Sequence, residues 1–233
     1  MLLKPLLYGP IIIVNFKTYL ESTGKQAINL AKQAEKASKE TGILIAVAPQ
    51  FVDIGIIADT VDIPVFSQHI DAISPGSHTG NILAASIKET GAIGTLINHS
   101  EKQLKLSEIE KIITITKQKN LVSCVCVNNP NVGKAISALD PDIISIEPPE
   151  LIGTGVAVSK AKPEVVTNTI KLVHQINKKP IVLCGAGISK PEDVSVAINL
   201  GTKGILVASA VVKAKDPYNL LCKFAEAIKK ADK

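Results

Sequence analysis

The chain has no tryptophan, and aromatic residues make up only 3% of it. Its core must therefore be aliphatic, filled by Ile, Val, Leu and Ala instead of stacked rings. The same scarcity argues against nucleic-acid binding. The 26 Lys and Arg residues against 21 acids leave a net charge of +5, and they are scattered, with no basic block interleaved with aromatics. A mild positive balance suits a small anionic substrate and serves solubility equally. Long apolar runs are missing too: nothing reaches the roughly 18 residues a membrane span needs. The N-terminal stretch is apolar but is broken by Lys4, Pro5, Gly9 and Pro10, so it lacks the unbroken centre and cleavage site of a secretory signal. Cysteine is sparse, with Cys124, Cys126, Cys184 and Cys222 all in apolar surroundings. Cys124 and Cys126 fall two apart on an expected strand and share a face. A single C-x-C pair without a second ligand cluster points to buried, reduced thiols in a cytoplasmic protein, with no metal.

What the chain does have is a regular alternation of aliphatic runs and amphipathic stretches. Its 233 residues, 46% hydrophobic, are expected to form one domain over 1–233. Strands are predicted at 11–14, 43–47, 64–67, 92–97, 121–127, 143–146, 180–184 and 204–207. Helices are predicted at 22–39, 53–58, 82–90 behind an Asn81 cap, 107–119 behind a capping box of Ser107 and Glu110, 130–139, 163–177, 191–199 and 217–230. On 163–177, Val166, Ile170, Val173 and Ile176 are expected to face one way. The strands read as continuous apolar runs, as parallel strands covered on both faces should. Eight such units point to a (β/α)8 barrel, and a doubly wound open sheet is the alternative with a similar alternation.

One stretch stands out, 143–155, reading IISIEPPELIGTG. An apolar strand ends at a single carboxylate, Glu147. Pro148 biases Glu147 towards extended backbone, Pro149 stiffens one end of the following loop, and Gly153 and Gly155 loosen the other. Two readings stand open on this stretch alone: a base beneath a lid, or a solvated Glu at a strand exit. In a barrel, however, polar residues at the carboxyl ends of strands face a common mouth. Those ends supply Asn15 and Lys17, Gln68, then Asn98, His99 and Glu101, then Asn128, Glu147, the turn 185–189, and Ala208-Ser209. Small-residue turns late in such a barrel leave backbone N–H groups free for a phosphate.

Four segments, Asn15-Phe16-Lys17, Asn98-His99-Ser100-Glu101, 147–155 and Cys184-Gly185-Ala186-Gly187, together resemble the triosephosphate isomerase family in order and spacing. The resemblance runs along essentially the whole chain. Its short length, Phe16 in place of a commoner Trp, and the Pro-Pro-Glu-Leu lid are similar to the archaeal form. It implies a TIM barrel that interconverts dihydroxyacetone phosphate and D-glyceraldehyde 3-phosphate through an enediolate, in glycolysis and gluconeogenesis, with no cofactor.

The resemblance also implies roles. Glu147 is the carbon base, made stronger by desolvation. His99 is a neutral electrophile, its charge disfavoured by a helix starting just after it; triosephosphate isomerase is itself the worked case from which this tuning is known. Lys17 supplies fixed positive charge to enediolate and phosphate, Asn15 a neutral hydrogen bond, and Glu101 a carboxylate that holds Lys17. Ile152, Gly153, Gly187, Ala208 and Ser209 match the phosphate side. Two departures stand there: Gly187 where many members have Ser, and Ala208-Ser209 where many have Gly-Gly. The loop 76–81 matches the family's dimer loop, in which Thr79 reaches a neighbour's site, and the archaeal form implies a homotetramer.

Blander roles are expected for the remaining polar residues. His69, His78 and His174 are read as structural, Lys213 and Lys215 as solvated, and Glu150 as solvent-facing. The competing functions are a metal-dependent sugar-phosphate epimerase or synthase on the same barrel, which would want more ligands than His69 offers, and a phosphate-binding barrel without chemistry.

Overall fold

A computed structural model of the chain describes residues 9–151 and 157–232. The strands are β1 Ile11–Asn15, β2 Leu44–Ala48, β3 Phe66–Ser67, β4 Gly94–Ile97, β5 Val122–Val127, β6 Ile143–Ile146, β7 Ile181–Cys184 and β8 Gly204–Val207. The helices are α1 Lys25–Thr41, α2 Ile54–Ala58, α3 Ala84–Glu89, α4 Leu106–Gln118, α5 Pro130–Ser137, α6 Val158–Ala161, α7 Pro163–Ile176, α8 Pro191–Asn199, α9 Ser209–Val212 and α10 Pro217–Ala231. None of the helices among the described residues is long and apolar enough to cross a membrane.

All paired strands are parallel, in the order β2-β1-β8-β7-β6-β5-β4-β3. The two end strands meet through a parallel bridge between Val47 and Val65, where Val47 N–H donates to Pro64 O at 3.0 Å. That bridge brings the circle nearly to closure. The order shows no reversal, so the open doubly wound alternative is excluded.

The period of two along each strand sorts the aliphatic residues into two cores. Ile11, Ile13, Ala46, Phe66, Leu96, Cys124, Ile143, Leu183 and Leu206 pack with one another as one cluster, filling the barrel. Their neighbours Ile12, Val14, Ile45, Val125, Ile144 and Ile205 pack in a second cluster with buried residues of the helices, among them Ala31, Ile112, Val166 and Phe224. Gly204 has φ +141°, and a Cβ there would lie 1.9 Å from Ile11 O. Only glycine lets β8 lie this close against β1.

Several helix starts differ from expectation, each because a polar group is spent elsewhere. Ser22 does not begin α1: its hydroxyl donates to Phe16 O at 2.7 Å, and the helix starts after Gly24. Asn81 does not cap α3, because Ile82 N–H donates to Asp71 Oδ2 and the helix begins at Ala84. On α4 the capping carboxylate is Glu108, which accepts from Lys105 N–H at 2.9 Å, and not Glu110. Ile176, the last residue of α7, is 48% exposed, while Val166 and Val173 are buried. The short helices α6 and α9 were not expected from the sequence.

Candidate active site

The same period of two that fills the barrel brings polar residues to its mouth. Inward positions run Ile11, Ile13, Asn15 on β1 and Ile143, Ser145, Glu147 on β6; the series continues Leu183, Gly185 on β7 and Leu206, Ala208 on β8. Asn15, Lys17, His99 and Glu147 line one cavity of about 370 Å³ together with Gly187, Ser189, Ala208 and Ser209. A second cavity of about 400 Å³ adjoins it, sharing Asn15, Lys17 and His99 and adding Gln68 and Glu101. Thr79 is exposed and lines neither. Ile152 and Gly153 lie outside the described residues.

Lys17 sits just past β1 with φ +48°, left-handed backbone that a long side chain seldom adopts. Three hydrogen bonds hold it there. Its own N–H donates to Asn15 Oδ1 at 2.9 Å, and Gln68 Nε2 donates to Lys17 O at 2.9 Å and to Ala48 O at 3.0 Å. The turn aims Nζ back across the mouth, where it pairs with Glu101 Oε1 at 2.8 Å; the Lys17 side chain is 11% exposed and that of Glu101 60%. Gln68, one of the strand-end polar residues, is thus the brace of this turn.

His99 is reached by a comparable device. Ile97 packs outwards with the helices, so the strand period alone would not deliver His99 to the mouth. Asn98 takes φ +60°, donates from Nδ2 to Cys126 O at 3.0 Å and accepts from Leu104 N–H at 2.9 Å. The expected helix directly after His99 is absent. A turn follows, closed by Lys102 N–H to His99 O at 2.7 Å, and α4 begins only at Leu106. What fixes the ring is instead the Glu101 N–H, which donates to Nδ1 at 3.2 Å. An Nδ1 that accepts carries no hydrogen, which assigns the hydrogen of a neutral ring to Nε2.

That Nε2 lies 3.4 Å from Glu147 Oε2. Glu147 is 3% exposed and is held at the end of β6 by its own N–H donating to Val127 O at 2.8 Å. Burial raises its carboxyl above the usual range, against the pull of His99, Cys126, Ser145 and Lys17. The Cys126 thiol and Ser145 hydroxyl ease the charge without completing a bond, since Oε1 and Ser145 Oγ are both buried with no well-formed partner among the described residues. Cys126 itself stays a thiol: burial first, then the Glu147 charge, push its pKa well up. The fit around Glu147 is tight. A Cβ on Gly185 would stand 2.4 Å from Glu147 Cγ and 2.4 Å from Ser145 Oγ.

On the far side of the cavity, Gly187 takes φ +71° and begins a turn in which the Ser189 and Lys190 N–H groups both donate to Asp193 Oδ2 at 3.0 Å. Asp193 is 4% exposed and pairs with Lys160 of α6 at 2.6 Å. Neither residue drew notice in the sequence, where Asp193 reads as an ordinary acid in the first turn of a helix. Lys213, expected to be solvated, is exposed but lines this cavity beside Tyr19. His174 Nε2 lies 3.1 Å from Pro180 O and Glu150 pairs with Lys162, and neither residue lines either cavity; His69 pairs with Asp71 at 3.0 Å and lines the second cavity. Among the described residues no three His, Cys, Asp or Glu side chains are grouped to hold a metal ion.

A carboxylate sealed from water, an imidazole presenting N–H and a fixed ammonium around one small cavity define the protein's class: a (β/α)8-barrel enzyme of the isomerase kind. The family model for triosephosphate isomerase matches residues 10–230, and the chain belongs to the triosephosphate isomerase family. It is 58% identical over 206 residues to the triosephosphate isomerase of Methanocaldococcus jannaschii, covering 88% of this chain and 94% of that one. It is 53% identical over 212 residues to that of Methanothermus fervidus, covering 91% and 96%. The fold matches the crystal structure of triosephosphate isomerase from Bartonella henselae with a TM-score of 0.76 at 16% identity, over 94% of this chain and 99% of the other.

Proposed function

We propose that the chain interconverts dihydroxyacetone phosphate and D-glyceraldehyde 3-phosphate through an enediolate, a step of glycolysis, with Glu147 moving the proton. The observation that carries this reading is the contact of Glu147 Oε2 with His99 Nε2 at 3.4 Å inside the cavity that Lys17 also lines. A carbon acid next to a carbonyl needs a base with little hydration, and a buried carboxylate is one. Glu147 takes a proton from one carbon, and the electron pair moves into the carbonyl, whose oxygen becomes an oxyanion. The His99 Nε2–H, the Lys17 ammonium and the Asn15 amide are the donors at hand for that oxyanion. The protonated Glu147 then returns its proton to the neighbouring carbon.

The phosphate is assigned to the opposite wall, at Gly187, Ala208 and Ser209. Glu101 keeps Lys17 pointed inwards. Self-association, as a homotetramer, is part of the same reading. It is supported by Leu20 and Val52, 82% and 85% exposed, on two loops joined by a Gln50 Nε2 to Thr23 Oγ1 hydrogen bond of 2.9 Å. Exposed apolar side chains on neighbouring segments favour a covering partner, and Thr79 is exposed. Four free thiols suit a reducing cytoplasm.

A coupled assay on purified protein tests the reaction: isomerisation that survives a chelator supports it, and no turnover of either triose phosphate overturns it. Light scattering giving a monomer mass would remove the tetramer.

A further inference from the structure

Lys213 closes α9 with its N–H on Ser209 O at 2.9 Å, one helical turn beyond Ser209. It thus shares the wall on which Gly187, Ala208 and Ser209 stand, and it lines the same cavity. Its ammonium rests over the Tyr19 ring, 4.4 Å from the centroid. Among the described residues no carboxylate pairs with it, and the ring is what its ammonium touches.

Charge makes that placement consequential. Besides Lys213, the Lys and Glu side chains lining this cavity are Lys17 and Glu147. Glu147 must be ionised to act as a base, so the two offset each other, and Glu101 draws on Lys17 from the neighbouring cavity at 2.8 Å. A pocket with no net positive charge attracts a phosphate dianion only weakly. The phosphate wall cannot correct this from its own side chains, since Gly187 and Ala208 carry none that is polar and Ser189 and Ser209 offer only uncharged hydroxyls. An exposed cation–π contact is weak, whereas an ammonium bonded to a phosphate oxygen is charge-assisted and strong. The four-carbon stem of lysine allows the exchange.

We propose that Lys213 is a phosphate-binding residue, whose ammonium leaves the Tyr19 ring to pair with the phosphate of the substrate. This rests on the reading that the cavity takes a triose phosphate. It makes the protein's phosphate recognition partly a matter of side-chain charge and not of backbone N–H groups alone.

The test compares wild type, Lys213→Met and Lys213→Arg by calorimetric titration with inorganic phosphate and by steady-state kinetics. Lys213→Met is expected to weaken phosphate binding about tenfold and to raise KM for glyceraldehyde 3-phosphate by a similar factor, with kcat changed by less than about twofold. Lys213→Arg is expected to recover most of both losses, which a merely structural residue would not predict. Equal phosphate affinity in wild type and Lys213→Met, or a fall in kcat with KM unmoved, overturns the proposal. Absence of isomerase activity in the wild type would count against the reaction, while the phosphate titration would still decide the role of Lys213.

Discussion

Glu147 Oε2 faces His99 Nε2 at 3.4 Å, while the other carboxylate oxygen is sealed from solvent without a well-formed hydrogen-bond partner among the described residues. An ionised carboxylate held this way is poorly stabilised, and that is what a carbon base requires. Glu147→Gln keeps the shape and removes the basicity. It is expected to lower kcat by about a thousandfold while leaving phosphate affinity within about twofold of wild type. Single-turnover kinetics and a binding titration on the same preparation check both halves, and retained turnover would take Glu147 out of its role.

The pH dependence follows from the same burial. Burial raises the Glu147 carboxyl above its usual value, with His99, Cys126, Ser145 and Lys17 only partly opposing it. As the base of the proposed reaction Glu147 must be ionised, so kcat/KM is expected to fall on acidification through a midpoint above the value near 4.3 of a solvated glutamate. Stability moves in the opposite sense. A raised folded pKa contributes stability that is fully present below the unfolded value and lost as pH rises through the folded one. Glu147→Gln should therefore melt higher than wild type at neutral pH, and the gap should close in acid. Thermal melts across that range measure it; a gap independent of pH would show that the carboxylate is not strained.

Gly185 offers a test of position without touching any titrating group. A Cβ there would meet Glu147 Cγ and Ser145 Oγ at 2.4 Å each, so one of them must move. A displacement of about 1 Å in a reacting group can lower the rate about a hundredfold. Gly185→Ala is expected to lower kcat on that scale, with the far-ultraviolet circular dichroism of the barrel retained. Wild-type kcat in this variant would mean that the carboxylate tolerates being pushed.

The strand-end residues were legible because two simple periods coincide. Aliphatic runs mark the strands, and the next inward position after each run falls at the mouth, which is how Asn15 and Glu147 could be read from the chain. The turns that aim Lys17 and His99 were not legible. Both depend on single left-handed residues, Lys17 at φ +48° and Asn98 at φ +60°, held by groups far away in sequence, such as Gln68 on Lys17 O and Asn98 on Cys126 O. The helix expected directly after His99 is not formed there, and the ring is oriented instead by the Glu101 N–H on Nδ1. Lys213 was hidden by its exposure: an exposed lysine looks solvated until the strands on either side bring Tyr19 under it.

Asp193 links the turn after Gly187, on the wall proposed to take the phosphate, to α6, the first described element after residues 152–156. Its Oδ2 accepts from Ser189 and Lys190 N–H at 3.0 Å each, and its Oδ1 lies 2.6 Å from Lys160 Nζ. Val158 N–H on Ala186 O at 3.1 Å fastens α6 to the same turn. Burial pushes this carboxyl up, but the Lys160 ammonium and the two backbone N–H groups outweigh it and hold the carboxyl below its usual range. A lowered folded pKa contributes stability present above the unfolded value and lost as pH falls through the folded one. Asp193→Ala leaves two N–H groups without their acceptor and Lys160 without its partner, so it is expected to destabilise the protein by about 2–3 kcal/mol at neutral pH. That gap should shrink below about pH 4, where the carboxylate begins to protonate. Asp193→Asn, which keeps an acceptor but not the charge, should retain more of the stability and still raise KM, because the turn from Gly187 to Lys190 is then less firmly set. Denaturant titrations at neutral and acid pH, run beside the kinetics, separate the two effects. A KM unchanged in Asp193→Asn would confine this carboxylate to holding the fold.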